Sequence, residues 1–227
     1  MIAHRGVSGL EKENTNAAFV AAGNRSYWGV ETDVHVTADG EVIVIHDDDT
    51  LRVTGEMRVV EETDFATLRA MPLLDRDGVS TRVDLRMPSL EEYLRICKRY
   101  DKTCVLELKR RMTPQQIAMI LARIEAEGMR ERVILISFSF ENLVDVRRID
   151  PEWRVQFLFS SFSEEILAAM QEYRMDVDIH HKALTEELLA RFHAAGMEVN
   201  CWTVDDPQRA EEMVGWGVDY ITSNILE

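Results

Sequence analysis

Short apolar runs alternate with amphipathic stretches along nearly the whole chain. The runs MIAH, GVETDV, VIVIH, TCVLEL, VILISF, RVQFLF, MDVDIH, EVNCWTV and DYITS predict strands. Between most of them, apolar residues recur at three- and four-residue spacing. Leu90, Tyr93, Leu94 and Cys97 form one such stripe, and Ile117, Ile120, Leu121 and Ile124 another, which predicts helices buried along one side. The helix boundaries are marked too. Ser89 with Glu92, and Thr113 with Pro114 and Gln116, have the spacing of capping boxes. Asp206–Pro207 suits a further N-terminus, and Gly128 and Gly196 stand where helices should end.

Strand–helix alternation in one chain implies a parallel sheet. If VIVIH is a hairpin partner of the second strand, eight units remain. The expected fold is then an α/β (β/α)8 TIM barrel, a single domain over residues 1–227. The competing architecture is an open doubly wound sheet. Against it, no G-x-G-x-x-G follows a strand, and polar clusters recur at the C-terminal ends of several strands, where barrels carry their active sites. Residues 47–88 break the rhythm. They are charged, with ETDFATLRAM as a possible short helix, and predict an insertion that emerges beside His46 above the barrel mouth.

Within the strands, charges fall two apart: Glu31 and Asp33 in GVETDVHVT, Glu107 and Lys109 in TCVLELK. Residues i and i+2 share a strand face. The flanking Leu106 and Leu108 should face the helices, so Glu107 and Lys109 face the barrel interior. Buried charges are costly unless paired or bound to a metal. Three hard carboxylates suit Mg²⁺ or Ca²⁺, with Mn²⁺ also possible. A structural ion pair, for example Glu107 with Arg5, is the plainer alternative. His4 and His46 each close an apolar strand run and frame the first carboxylate pair, which suits proton transfer near neutrality. His35 has the opposite parity and reads as structural. His180 and His181 could line the mouth, and Trp202 is either an aromatic wall for an organic substrate or core packing.

Composition narrows the classes. A chain of 227 residues with 46% hydrophobic positions can bury a sizeable core. No apolar run approaches the roughly 20 residues that span a bilayer, so stable membrane insertion is not expected. The start lacks a basic and an apolar signal region, and Cys97, Cys104 and Cys201 are scattered, so a cytoplasmic, reducing setting is expected. A net charge of −15 disfavours nucleic acid as a partner. It would also repel a phosphate substrate, unless a divalent cation with Arg5 and Lys109 supplies a local positive centre.

Taken in order, the segments HRG, ENTNAAF, GVETDVHVTADGEVIVIHD, TLRVTG, MPSLEEYL, LELK, VNCWTVDD and GVDYITS resemble the glycerophosphodiester phosphodiesterase family from Ala3 to Ser223. The resemblance implies a metal-dependent hydrolase that releases glycerol 3-phosphate and an alcohol from a small glycerophosphodiester. It makes His4 and His46 the acid–base pair, and Glu31, Asp33 and Glu107 the ligands of one divalent cation. Arg5 and Lys109 become phosphate contacts and Trp202 a substrate-side wall. Two other readings stay open: a related phospholipase D-type barrel acting on lysophospholipids, and a non-catalytic barrel that binds phosphate ligands. The chain departs from the family pattern at Lys12, which replaces a common Pro, at VTGEM, and at TSNILE in place of a TD-x-P ending.

Overall fold

A computed structural model describes residues 1–227. In chain order the elements are β1 (Ile2–Ala3), α1 (Asn16–Gly23), β2 (Gly29–Val36), β3 (Val42–Val44), α2 (Leu51–Thr54), α3 (Phe65–Ala70), α4 (Leu90–Arg99), β4 (Thr103–Leu108), α5 (Pro114–Ala126) and β5 (Val133–Ser137). They continue with α6 (Phe140–Ile149), β6 (Val155–Phe159), α7 (Glu164–Glu172), β7 (Asp176–His180), α8 (Glu186–Ala194), β8 (Val199–Trp202), α9 (Pro207–Trp216) and β9 (Tyr220–Ser223). Every strand but β3 pairs in parallel, and β1 bonds to both β2 and β9, which closes the sheet. The fold is a (β/α)8 barrel. β3 pairs antiparallel with Val34–Val36 at the end of β2, as the hairpin reading of VIVIH requires.

The helix ends follow the sequence signals. Ser89 and Thr113 form reciprocal capping boxes with Glu92 and Gln116, and the Asp206 side chain accepts from the Gln208 N–H. Each satisfies N–H groups that the first helical turn cannot pair internally.

Strand parity sorts the interior into two layers. Val30, Val34, Leu106, Leu108 and Leu135 point outward and join the helix stripes in a core of 45 buried residues. Ile2, Val105, Ile134, Ile136 and Leu158 point inward and pack as a separate cluster inside the barrel. Tyr93 ties α4 to the sheet by donating its buried hydroxyl to the Val30 carbonyl at 2.6 Å. The same parity turns the charged positions of β2 and β4 inward.

Residues 47–88 carry only α2, a short 3₁₀ turn at Val60–Glu62 and α3 as regular structure. Their apolar residues follow no helical or strand period, yet they are not merely solvated. Val53, Val60, Leu68, Met71, Leu73, Leu85 and Met87 gather on Ile43 and Ile45 in a small core of their own. Because loops bring these side chains together, no periodicity announces the cluster. Leu135→Ala in the main core should cost about 2–5 kcal/mol of global stability. Leu68→Ala should instead raise amide exchange mainly within residues 47–88. Equal losses of global stability in denaturant for the two variants would show that the clusters unfold as one unit.

Candidate active site

The site begins with a tight turn after β1. Arg5 and Gly6 both have left-handed backbone, with φ of 52° and 73°. A Cβ on Gly6 would lie 2.6 Å from the Ala18 Cβ and 2.7 Å from its carbonyl carbon, so only glycine fits. The turn aims the Arg5 N–H at Glu31 Oε2 (2.8 Å) and the Gly6 N–H at the Glu31 carbonyl (3.1 Å). The HRG segment thus fixes a carboxylate on the next strand through backbone alone.

Glu31, Asp33 and Glu107 converge inside the barrel, with one oxygen from each lying within 4.8 Å of the others. The register explains the meeting, because Asp33 of β2 stands opposite Glu107 of β4. All three are buried. The Lys109 ammonium lies 2.9 Å from Glu107 and 3.5 Å from Asp33, and the Arg5 Nε lies 3.6 Å from Asp33. Asn14 donates to Asp33 Oδ2 at 2.8 Å while accepting from Thr32 at 2.7 Å. The ion-pair alternative is therefore present in part, with Lys109 rather than Arg5 as the partner of Glu107.

These partners do not neutralise the set. Burial opposes ionisation of Asp33, but Lys109, Arg5 and the Asn14 bond outweigh it and hold its pKa below the ordinary range. Burial and the charge of Asp33 drive Glu31 well above the ordinary range, and push Glu107 from 4.5 up to about 8. Three hard oxygen donors, whose full ionisation would exceed the positive charge of Lys109 and Arg5, fit a divalent cation.

The two histidines stand on opposite supports. Asn224 commits its Nδ2 to Asp205 (2.6 Å), so its Oδ1 faces Ser8 (2.6 Å) and His4 Nδ1 (2.7 Å) as an acceptor. His4 Nδ1 therefore carries a proton, which leaves Nε2 toward Glu31, 3.9 Å away. Burial, and after it the Arg5 charge, lower the His4 pKa against the pull of Asn224 and Asp33. His46 instead bonds through Nδ1 to the Asp47 carboxylate (2.7 Å), whose other oxygen accepts from Arg52 at 2.6 Å. Although burial raises Asp47, the Arg52 and His46 bonds bring its pKa down to about 2.

One pocket collects His4, Arg5, Glu31, His46, Glu107 and Trp202. Asp33 and Lys109 are not among the lining residues but touch the site through Glu107, where Lys109 lies at 2.9 Å and Asp33 stands opposite in register. Trp202 is half-buried, lines the pocket and packs edge-to-face on Phe138 (5.5 Å) and His180 (5.0 Å). No residue of 47–88 lines the pocket. That segment reaches the site through Asp47 and Arg52, and Arg52 also binds Glu13, which binds Arg5. His35 is buried with Nε2 3.5 Å from the His46 carbonyl, and His193 pairs with Asp219 at the surface. Reading the residues as residues passed over Asn14, Asp47, Asp205, Phe138 and Asn224. Asn14, Asp47 and Asp205 lie within the segments ENTNAAF, VIVIHD and VNCWTVDD, and Asn224 within TSNILE, but the roles of Asn14, Asp205 and Asn224 depend on loops folding back on the strands.

Residues 4–226 match the model of the glycerophosphoryl diester phosphodiesterase family. A glycerophosphodiester phosphodiesterase of Caldanaerobacter subterraneus is 28% identical, over 99% of this chain and 93% of the relative. Among solved structures, an Oleispira antarctica phosphodiesterase in complex with the product sn-glycerol-3-phosphate superposes with a TM-score of 0.92. It is 25% identical, over 98% of this chain and 92% of that one. A glycerophosphodiester phosphodiesterase from Parabacteroides distasonis gives 0.82 at 28% identity, over 98% and 91% of the two chains.

The raised Glu107 pKa has a signed consequence. A carboxyl raised in the fold favours the folded state fully below its unfolded value, and that contribution is lost as pH rises through the folded value. In chelator, wild type should therefore lose stability between pH 4.5 and about 8. Glu107→Gln, which mimics the protonated acid, should match wild type near pH 4.5 and exceed it above pH 8. Denaturant midpoints across pH measure this. A variant less stable than wild type at every pH would contradict the repulsion.

Proposed function

The chain belongs to the glycerophosphoryl diester phosphodiesterase family, and from that premise we propose that it hydrolyses a small glycerophosphodiester to glycerol 3-phosphate and an alcohol. The observation that carries this reading is one pocket in which two differently supported imidazoles flank buried carboxylates. Glu31, Asp33 and Glu107 would hold one divalent cation. Their hard oxygens suit Mg²⁺, Ca²⁺ or Mn²⁺, and such an ion neutralises charge on a phosphoryl group.

The side chains divide the remaining work. His4, neutral and bonded to a neutral amide through Nδ1, offers Nε2 as the base. It takes the proton of the nucleophile, either water or the substrate's own glycerol hydroxyl, as that oxygen bonds to phosphorus. The bond from phosphorus to the alcohol oxygen breaks, and its electron pair leaves with the alcohol. His46, whose Nδ1 faces the fixed negative charge of Asp47, returns a proton to that oxygen. When the nucleophile is the glycerol hydroxyl, a cyclic phosphate forms and water opens it with the two roles exchanged. Arg5, which lines the pocket, and Lys109, whose ammonium lies 2.9 Å from Glu107, would contact the phosphate, with Trp202 as a wall on the substrate side. The presence of both histidines and all three carboxylates favours this reading over a silent barrel.

Leaving groups separate the two imidazoles. His4→Ala should lower kcat by about 10²-fold or more on both glycerophosphocholine and a glycerophosphate ester of p-nitrophenol. His46→Ala should do so on glycerophosphocholine, but far less on the p-nitrophenyl ester, whose leaving group needs no proton. Parallel losses for His46→Ala on both substrates would remove it from the acid role.

A further inference from the structure

Asp178 lies on β7 with its side chain inside the barrel and about 1% exposed. It nevertheless lines the same pocket, together with Glu107, Leu158, Trp202 and Thr222. It is not one of the three carboxylates whose oxygens converge as a metal group. Its Oδ1 has no hydrogen-bond partner in the protein. The polar neighbours are engaged with one another: Asn200 Nδ2 donates to Thr222 Oγ1 at 2.9 Å, and Trp202 Nε1 donates to the Asp178 backbone carbonyl at 3.3 Å. Gln156 on β6 is equally buried and has no partner for either amide atom, but it does not reach the pocket. Leaving a buried oxygen unpaired is unfavourable. A ligand hydroxyl in the pocket that Asp178 lines would supply the missing partner.

We propose that Asp178 is a specificity-determining residue whose carboxyl hydrogen-bonds a hydroxyl of the substrate's glycerol moiety. The inference rests on the glycerophosphodiester reading of the pocket, since it concerns what that pocket recognises beyond phosphate. Ile136, Leu158 and Trp202 give the surrounding lining an apolar character that suits a carbon chain. Asp178 is a carboxyl of that lining that belongs to neither the metal set nor the imidazole supports. A carboxyl oxygen accepts from an alcohol O–H in either protonation state, which matches the hydroxyls of a glycerol moiety.

The test compares two ligands of equal phosphate charge, sn-glycerol 3-phosphate and n-propyl phosphate, by calorimetry on the full chain with a divalent cation present. Wild type should bind the glycerol ester about tenfold more tightly or better, because a site built to hydrogen-bond a hydroxyl discriminates against its absence. Asp178→Leu should reduce that ratio by about tenfold and leave the propyl phosphate Kd within about twofold. Asp178→Asn, which keeps a hydrogen-bonding group of the same shape, should restore part of the ratio. Asp178→Ala provides a second variant without a hydrogen-bonding group should the leucine not fold. An unchanged ratio, or equal weakening of both ligands, would overturn the proposal and leave Asp178 a structural residue. If wild type turns over no glycerophosphodiester but the ratio still falls in the variant, the hydrolase reading fails while the polyol contact stands.

Discussion

Three carboxylates buried on two adjacent strands set the terms for the rest of this barrel. Asp33 and Glu107 stand opposite one another in register, an arrangement that is destabilising for like charges, and Glu31 adds a third on the same face. Arg5, Lys109 and Asn14 answer part of that repulsion, chiefly at Asp33. Glu31 and Glu107 remain raised by burial and by their neighbours. The surrounding construction follows from this: a left-handed turn in which only glycine fits at position 6, a lysine just past the end of β4, and loops that bring amides and guanidinium groups in from far away in sequence.

The same geometry explains the distinct settings of the histidines. His4 and His46 both follow the ends of short strands, yet one meets an amide pinned by Asp205 and the other a carboxylate pinned by Arg52. Asn224, in the TSN ending, places that neutral amide beside His4. Arg52 links this support to Glu13 and thence to Arg5, so residues 47–88 act on the site through a charged relay rather than as part of the pocket wall.

Much of this was legible in the chain. Period-2 parity on β2 and β4 put Glu31, Asp33 and Glu107 on one inward face, because alternation is a property of the strand itself. Capping residues marked α4, α5 and α9 for a similarly local reason. What escaped is what depends on return of the chain. Asn224 meets His4 across 220 residues, and Asn14 meets Asp33 only because the loop after β1 folds under β2. The small core of residues 47–88 was hidden because its members lie in irregular backbone with no period to read. Asp178 was hidden differently, as one polar residue in an alternating strand, where the inward side holds apolar and polar residues alike.

The central claim is that the carboxylate repulsion is resolved by a divalent cation that displaces protons. Titrating Mg²⁺ or Ca²⁺ into chelator-treated protein at pH 7, in two buffers of different ionisation enthalpy, measures both at once. One ion per chain should bind with release of protons, since Glu107, at about 8, is largely protonated in the absence of the ion. Both the binding and the proton release should be lost in Glu31→Gln. No binding in wild type, or binding without proton release that persists unchanged in that variant, would contradict the account.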